Sequence, residues 1–239
     1  MSRPIWFVNL IKKSFPTRFA LARFTRAPLI GRLIDHAFFD GDDIIYLPRD
    51  NLIQDNLLQV NEPIERPADI ALPSAVVAHF IEQAEYHWIM DFCLCRESDH
   101  CHDYPRELGC IFLGEAVLKI NPKLGRLATR QEALNHLRRC QEAGLVHMIG
   151  RNKLDTIWLG ATPGQKLMTI CNCCPCCCLW RVLPHVDRTI GDKVTRMPGV
   201  TVLVTDGCKG CKLCVRDICF VDAIQMDGER AVIDGDRCR

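Results

Sequence analysis

The chain has 239 residues, of which 48% are hydrophobic and 25% charged, and a formal net charge of +1. That length allows one large domain or two smaller ones with a real core, and the near-zero charge excludes a general electrostatic pull toward nucleic acid. The outlier is 16 cysteines, and thiolate-bound clusters would make the loaded protein more acidic than the formal count.

Residues 1 to about 34 carry Arg3, Lys12, Lys13, Arg18, Arg23, Arg26 and Arg32 and no acid. Trp6, Phe7, Leu10, Phe15, Phe19, Leu21 and Phe24 can share one face of a helix that Pro4, Pro16 and Pro28 interrupt. Such a segment is either a basic amphipathic arm for an anionic membrane surface or acidic partner, or an extension packed along its own domain; the second reading is the plainer. The apolar run at 5–11 is broken by Asn9 and stopped by Lys12 and Lys13, with no small-residue cleavage site after it. No stretch reaches membrane-spanning length. The expectation is a cytoplasmic chain, with the arm as its route to any membrane association. In a reducing compartment, cysteines at short spacings point to metal rather than to disulfides.

Gly41 and its acidic neighbours predict a turn, residues 44–47 a short strand, and residues 61–73, with Pro63, Pro67 and Pro73, a linker. From Ser74, Val76, Val77, Phe80, Ile81, Ala84 and Trp88 recur at three- and four-residue spacing, which predicts a helix carrying His79 and His87 as surface or interface residues. A cysteine-bearing loop follows, then a further helix at 111–120. Thr129 and Glu132 form a capping box for a helix that stops at Gly144, with Cys140 beside Ala133 and Leu137 as a buried core thiol. Residues 145–150 and 155–160 flank a polar turn and read as a hairpin, so that helix, strand, wing and strand resemble a winged-helix module. Residues 179–199 form a connector with some helical character. The expected fold class is α+β: residues 1–72 a basic arm with a short strand and linker, 73–198 a mainly helical cysteine-rich domain with the winged-helix-like hairpin, and 199–239 a small C-terminal cysteine module.

That last module holds the most specific motif. Cys208, Cys211 and Cys214 lie in an unbroken x2 series, followed by Cys219. Three thiolates on one tight loop can cap three irons of a cubane, with the fourth ligand from elsewhere. Gly210 lets the backbone curl toward the sulfurs, and Ile218, Phe220, Val221 and Ile224 supply an apolar shell. Residues 200–206 read as a strand, and 223–234 as a hairpin with an Asp227-Gly228 turn. Together these resemble half of a bacterial two-cluster ferredoxin. Two departures stand out: four residues, not three, separate Cys214 from Cys219, and Phe220 stands where the family has proline. The resemblance makes Cys238 the first cysteine of a second motif and implies a continuation beyond Arg239. The alternative is one cluster on Cys208, Cys211, Cys214 and either Cys219 or Cys238. Zinc is the rival metal, although its sites are usually two C-x2-C knuckles on a longer loop.

The middle of the chain supplies Cys93, Cys95, Cys101 and Cys110 on one loop, and Cys171, Cys173, Cys174, Cys176, Cys177 and Cys178 in the run CNCCPCCC. His100 and His102 could substitute as ligands or simply face solvent. Neighbouring cysteines fail disulfide geometry, so bridges inside the run are disfavoured; alternating side-chain directions let it serve two sites or clamp one, with Pro175 stiffening it. These ten thiols predict at least one metal centre and leave room for a second, the plainer alternative being that half are spectators. With the stretch QEAGLVH at 141–147, the same motifs resemble a group of largely uncharacterised iron–sulfur proteins that join such a domain to a ferredoxin-type tail. The resemblance spans about 73–239 and implies [4Fe-4S] clusters and anaerobic-type redox metabolism.

No phosphate-binding glycine loop, dinucleotide fingerprint or nucleophile–base pair is visible, so no catalytic residue is assigned. The leading expectation is an electron-transfer protein or oxidoreductase subunit serving redox protein partners, without nucleic acid. The alternatives are a reductive enzyme using 171–178 as its active cluster, a redox-sensing regulator whose Arg130, Arg138 and Arg139 are diluted by Glu132 and Glu142, and a zinc-only structural site.

Overall fold

The computed structural model describes residues 2–50, 72–216 and 219–239; residues 61–71 of the linker expected at 61–73, and Ile218, lie outside them, while Pro73 begins a helix. Seven strands build one sheet: β1 (Asp43–Leu47), β2 (His87–Met90), β3 (Ile111–Leu113), β4 (Gly125–Ala128), β5 (Val146–Arg151), β6 (Met168–Cys173) and β7 (Val194–Arg196). Their order is β4-β2-β3-β6-β5-β1-β7. Neighbours run antiparallel except β1 and β7, which are parallel. Around the sheet lie α1 (Ile5–Ser14), α2 (Arg18–Phe24), α3 (Pro28–Phe38), α4 (Pro73–Gln83), α5 (Leu94–Ser98), α6 (Arg130–Glu142), α7 (Lys153–Leu159) and α8 (Arg188–Gly191). The body is therefore mixed α and β, not mainly helical.

Three local expectations change for this reason. The helix from residue 73 ends at Gln83, where Ala84 turns extended, and the aromatic stretch after it becomes β2 with all four residues buried. His87 is thus buried in the sheet, its Nε2 2.6 Å from the Ile81 carbonyl, rather than on a surface. Residues 111–120 form β3 and a 3-10 turn, because both faces of Ile111, Phe112 and Leu113 are covered and an apolar triplet buried twice over suits a central strand. The winged-helix hairpin does not form. Asn152 caps Lys153–Leu159 by accepting from the Leu154 N–H at 3.1 Å, and Gly160 ends the helix in the left-handed region at φ 69°. Strand β5 instead pairs with β1 and β6.

Side chains alternate across the sheet. One face carries Leu47, Ile111, Leu113, Ile149 and Ile170, covered by Val77 and Ile81 of α4 and Ala133 and Leu137 of α6. Helix α6 starts with the expected capping box, and Cys140 is buried on its inner side. The opposite face carries Trp88, Met90 and Phe112 under Val8 of α1 and Trp158 and Leu159 of α7. Further along that face, Met148, Ile44 and Val194 meet Trp180, Cys173 and Cys178.

The basic arm packs on the body. Val8, Phe15 and Ala22 are buried, and Arg18 forms a two-pronged ion pair with Asp99 at 3.1 and 2.5 Å. Its outer side leaves Trp6, Leu10, Leu29 and Leu33 exposed. No helix among the described residues is long and apolar enough to cross a membrane.

In the tail, β8 (Ile224–Asp227) and β9 (Arg230–Ile233) form the expected hairpin, turning at Gly228 with φ 58°. Residues 200–206 form no strand; Val204 meets the hairpin through the Arg230 guanidinium at 2.9 Å, a side-chain bond in place of a ladder.

Candidate metal centre

Strand β6 delivers the cysteine run to one end of the sheet. Cys171 lies opposite Met148 and Cys173 opposite Val146, while Asn172 between them points the other way, opposite His147. Beyond Cys173 the chain leaves the sheet and folds back, so the run divides.

Cys174, Cys176 and Cys177 meet Cys101, and the four sulfurs all lie within 4.8 Å of one another. Cys176 Sγ is 3.6 Å from Cys101 Sγ and 3.5 Å from both Cys174 Sγ and Cys177 Sγ. Cys101 comes from the loop after α5, where its N–H bonds the Arg96 carbonyl at 2.9 Å. The Cys177 N–H donates to Cys174 Sγ at 3.4 Å. Leu108, Cys140 and Leu145 pack behind the group. A tetrahedron with metal–sulfur bonds of about 2.3 Å has edges of about 3.8 Å, close to these separations. A cubane holds its thiolates outside the corners of a larger body, so the loop would open to take one. Burial pushes Cys176 up to about 12 and raises Cys177, and their thiol neighbours add to it. Cys101 goes the other way: burial opposes its ionisation, but the N–H groups of Tyr104 and Asp103 and the neighbouring thiols outweigh it. Crowded thiols of this kind ionise together only when a cation neutralises them.

Six other thiols lie outside this group, among them Cys95, which packs against its apolar surround. Cys110 Sγ is 3.8 Å from Cys171 Sγ, and Cys178 Sγ is 3.4 Å from Cys173 Sγ. The Cys95 thiol hydrogen-bonds Cys93 and, helped by the Arg96 charge, brings Cys93 down to about 6. Cys95 itself is pushed well up, first by that bond and then by burial. Cys110 is also raised, by its bond to Cys171 and by burial.

Arg96, which carries no sequence signal beyond standing next to Cys95, lies between the two groups and is fully buried. Its Nε donates to the Pro105 carbonyl at 2.8 Å, its Nη1 to the Asn172 carbonyl at 2.7 Å, and its Nη2 to the Leu108 carbonyl. Burial alone would lower its pKa, but the surrounding thiols Cys93, Cys174, Cys110 and Cys173 outweigh it and hold the guanidinium charged. Asn172 completes the frame: its Nδ2 donates to the Gly109 carbonyl at 2.8 Å, and its Oδ1 accepts from His147 Nδ1 at 2.8 Å. Sequence reasoning missed both residues.

His100 and His102 are exposed and stand outside the four-thiol group, as does the exposed His79. In the tail, Cys211 is exposed and Cys208, Cys214, Cys219 and Cys238 are partly buried. Among the described residues, no three of the tail thiols reach the spacing that holds a single ion. Backbone amides do approach them: the Ala231 N–H donates to Cys208 Sγ at 3.5 Å and the Ala223 N–H to Cys219 Sγ at 3.3 Å. Gly210 sits at φ 63°, where a Cβ would meet the Glu229 carbonyl oxygen at 2.4 Å, so the close approach of the cysteine loop to the hairpin requires glycine. Phe220, beside Cys219, stacks on Tyr46 of β1 at 4.9 Å and joins the cluster that holds Cys171, Cys173 and Cys178. Compared with protein-family models, curated proteins and solved structures, the chain matches none of them.

Proposed function

We propose that the chain is an iron–sulfur electron-transfer protein or oxidoreductase subunit, relaying single electrons between redox protein partners in anaerobic-type metabolism. The observation that carries this reading is the convergence of Cys101, Cys174, Cys176 and Cys177 from two distant segments to within 4.8 Å. Thiolate donors of this number suit thiophilic metals, and the ferredoxin-like cysteine spacing of the tail favours iron. Clusters held there would supply one-electron redox chemistry. The chain's own residues do the rest. Leu108 and Leu145 exclude water behind the four thiols, and Trp180 lies against Cys173 and Cys178. The Phe220–Tyr46 stack ties the residue after Cys219 to the cluster that holds Cys171, Cys173 and Cys178, which suits a short path between tail and body. The exposed apolar and basic residues of α1 to α3 would form the contact with an anionic membrane surface.

A second reading is a structural zinc site. The sulfur separations of 3.5 and 3.6 Å favour it, because they suit one tetrahedral ion without rearrangement. Purification without oxygen, with iron, zinc and labile sulfide measured per chain and EPR recorded after dithionite reduction, separates the two. Iron with matching sulfide and a reduced-cluster signal is expected; zinc without labile sulfide rejects the redox reading.

A further inference from the structure

The other six middle thiols have no part in the four-thiol group; among the described residues no three of them reach the spacing that holds a single ion, but they meet in close pairs around a buried cation. We propose that Cys93, Cys95, Cys110, Cys171, Cys173 and Cys178 form a second, interior metal–thiolate centre, with the Arg96 guanidinium as its fixed counter-charge. Its ligand class is an iron–sulfur cluster, whose thiolate ligands stand farther apart than those around a single ion.

Three observations carry this. The first is convergence from three segments: the start of α5, the residue before β3, and β6 with the turn after it. Contacts at 3.4 and 3.8 Å link Cys173 to Cys178 and Cys110 to Cys171. Cys171 and Cys173 share one face of β6, and Cys93 and Cys95 stand at the start of α5. These separations are well beyond the ~2.05 Å of a disulfide, and all six thiols are free. The second is the partition of the run. Strand alternation keeps Cys171 and Cys173 on one sheet face, whereas Cys174, Cys176 and Cys177 turn away to Cys101. The boundaries are the peptide bonds between Cys173 and Cys174 and between Cys177 and Cys178, so one segment feeds two sites.

The third is Arg96. A fully buried guanidinium costs several kcal/mol unless an opposite charge faces it. Three carbonyls satisfy its donors, but among the described residues no carboxylate lies within 4.0 Å of it. The negative charge must come from sulfur. Its three acceptors belong to segments that bear the ligands: Asn172 separates Cys171 from Cys173, and Leu108 stands two residues before Cys110. Metal-bound thiolates on either side would give the cation its partner and the anionic centre its compensation.

The proposal rests on the four-thiol site only for the kind of metal, and its test keeps the two apart. The experiment uses the full chain with Cys208→Ser, Cys211→Ser and Cys214→Ser, which silences the tail, purified without oxygen and assayed for metal per chain. Adding Cys110→Ser and Cys171→Ser should remove the interior share and leave the rest; adding Cys101→Ser and Cys176→Ser should do the converse. All four together should leave none. Unchanged metal in the interior variant overturns the proposal; unchanged metal in the other variant instead overturns the four-thiol site. A second measurement avoids folding defects. The parent chain is treated with chelator in steps, and its thiols are pulse-alkylated and mapped by mass spectrometry. Two stages of metal release are expected, with Cys101, Cys174, Cys176 and Cys177 labelled in one and the six interior thiols in the other. Release of all metal while only the first four become labelled, or recovery of Cys173–Cys178 as a disulfide from oxygen-free protein, sinks the idea.

Discussion

Arg96 and Asp42 show how much a single buried charge decides here. Replacing Arg96 by methionine keeps bulk but leaves the carbonyls of Pro105, Leu108 and Asn172 without their donor. Each buried orphan costs about 1–3 kcal/mol, so Arg96→Met should lose at least about 3 kcal/mol of stability in chemical denaturation. Asp42 is a different case. Burial, opposed by the Lys153 N–H that donates to it at 2.7 Å, raises its pKa to about 7. The folded state then binds the proton more tightly than the unfolded chain, with an ordinary value of 3.8. Its contribution is complete below that ordinary value and is lost as pH rises through about 7. Asp155, raised to about 6 by burial, has the same sign. Stability should therefore fall between about pH 4 and 7, and Asp42→Asn should reduce that slope while leaving the share of Asp155; a slope unchanged from the parent in urea titrations of this variant counts against the assignment. The sequence made the thiols visible as candidate ligands because cysteine is rare and its spacing is local. It did not show that Arg96 is buried among them, since an arginine after Cys-Leu-Cys carries no local mark of burial.

At the scale of elements, local signals were legible and twofold burial was not. The Thr129–Glu132 capping box is present, with the Glu132 carboxylate accepting from the Thr129 N–H at 2.8 Å. Thr129→Ala should cost about 1 kcal/mol, read as a lower denaturation midpoint at unchanged slope. The turn at Gly228 and strand β1 were also readable. Strands β2 and β3 were not, because full burial removes the alternation that marks a half-exposed strand, and Trp88 happened to extend the helical spacing of α4. Helix α7 was misread as a strand although Asn152 and Gly160 bracket it with start and stop residues. The arm packs through Val8, Phe15 and Ala22, as its plainer reading expects, and exposes Trp6, Leu29 and Leu33, on which the proposed membrane contact rests. It should co-sediment with vesicles containing anionic lipid and be released by salt, with little binding to neutral vesicles. Equal binding to both would remove the electrostatic argument.

For the whole molecule, the sheet order is what sequence reading could not supply. It depends on pairings between residues far apart in the chain, and no local pattern records which strand lies beside which. The same distance hid the division of the ten middle thiols, because it is set by where β6 leaves the sheet and where the turn after it brings Cys178 back to Cys173, not by spacing within the run. The position of β1 has a further consequence, for the order of events during synthesis. Asp43 pairs with Arg151 and Ile44 with Val194, so β1 has neither neighbour until most of the chain exists. Translation at ~5–20 residues per second puts roughly 5–20 s between the emergence of Asp43 and that of Arg151. By the end of that interval the first cysteine loop is outside the ribosome while the run at 171–178 is not. The nascent chain thus exposes its first four thiols before the segment that would shield them, and ribosome-bound chains stalled before residue 170 should be alkylated at Cys93 and Cys110 where the finished protein is not.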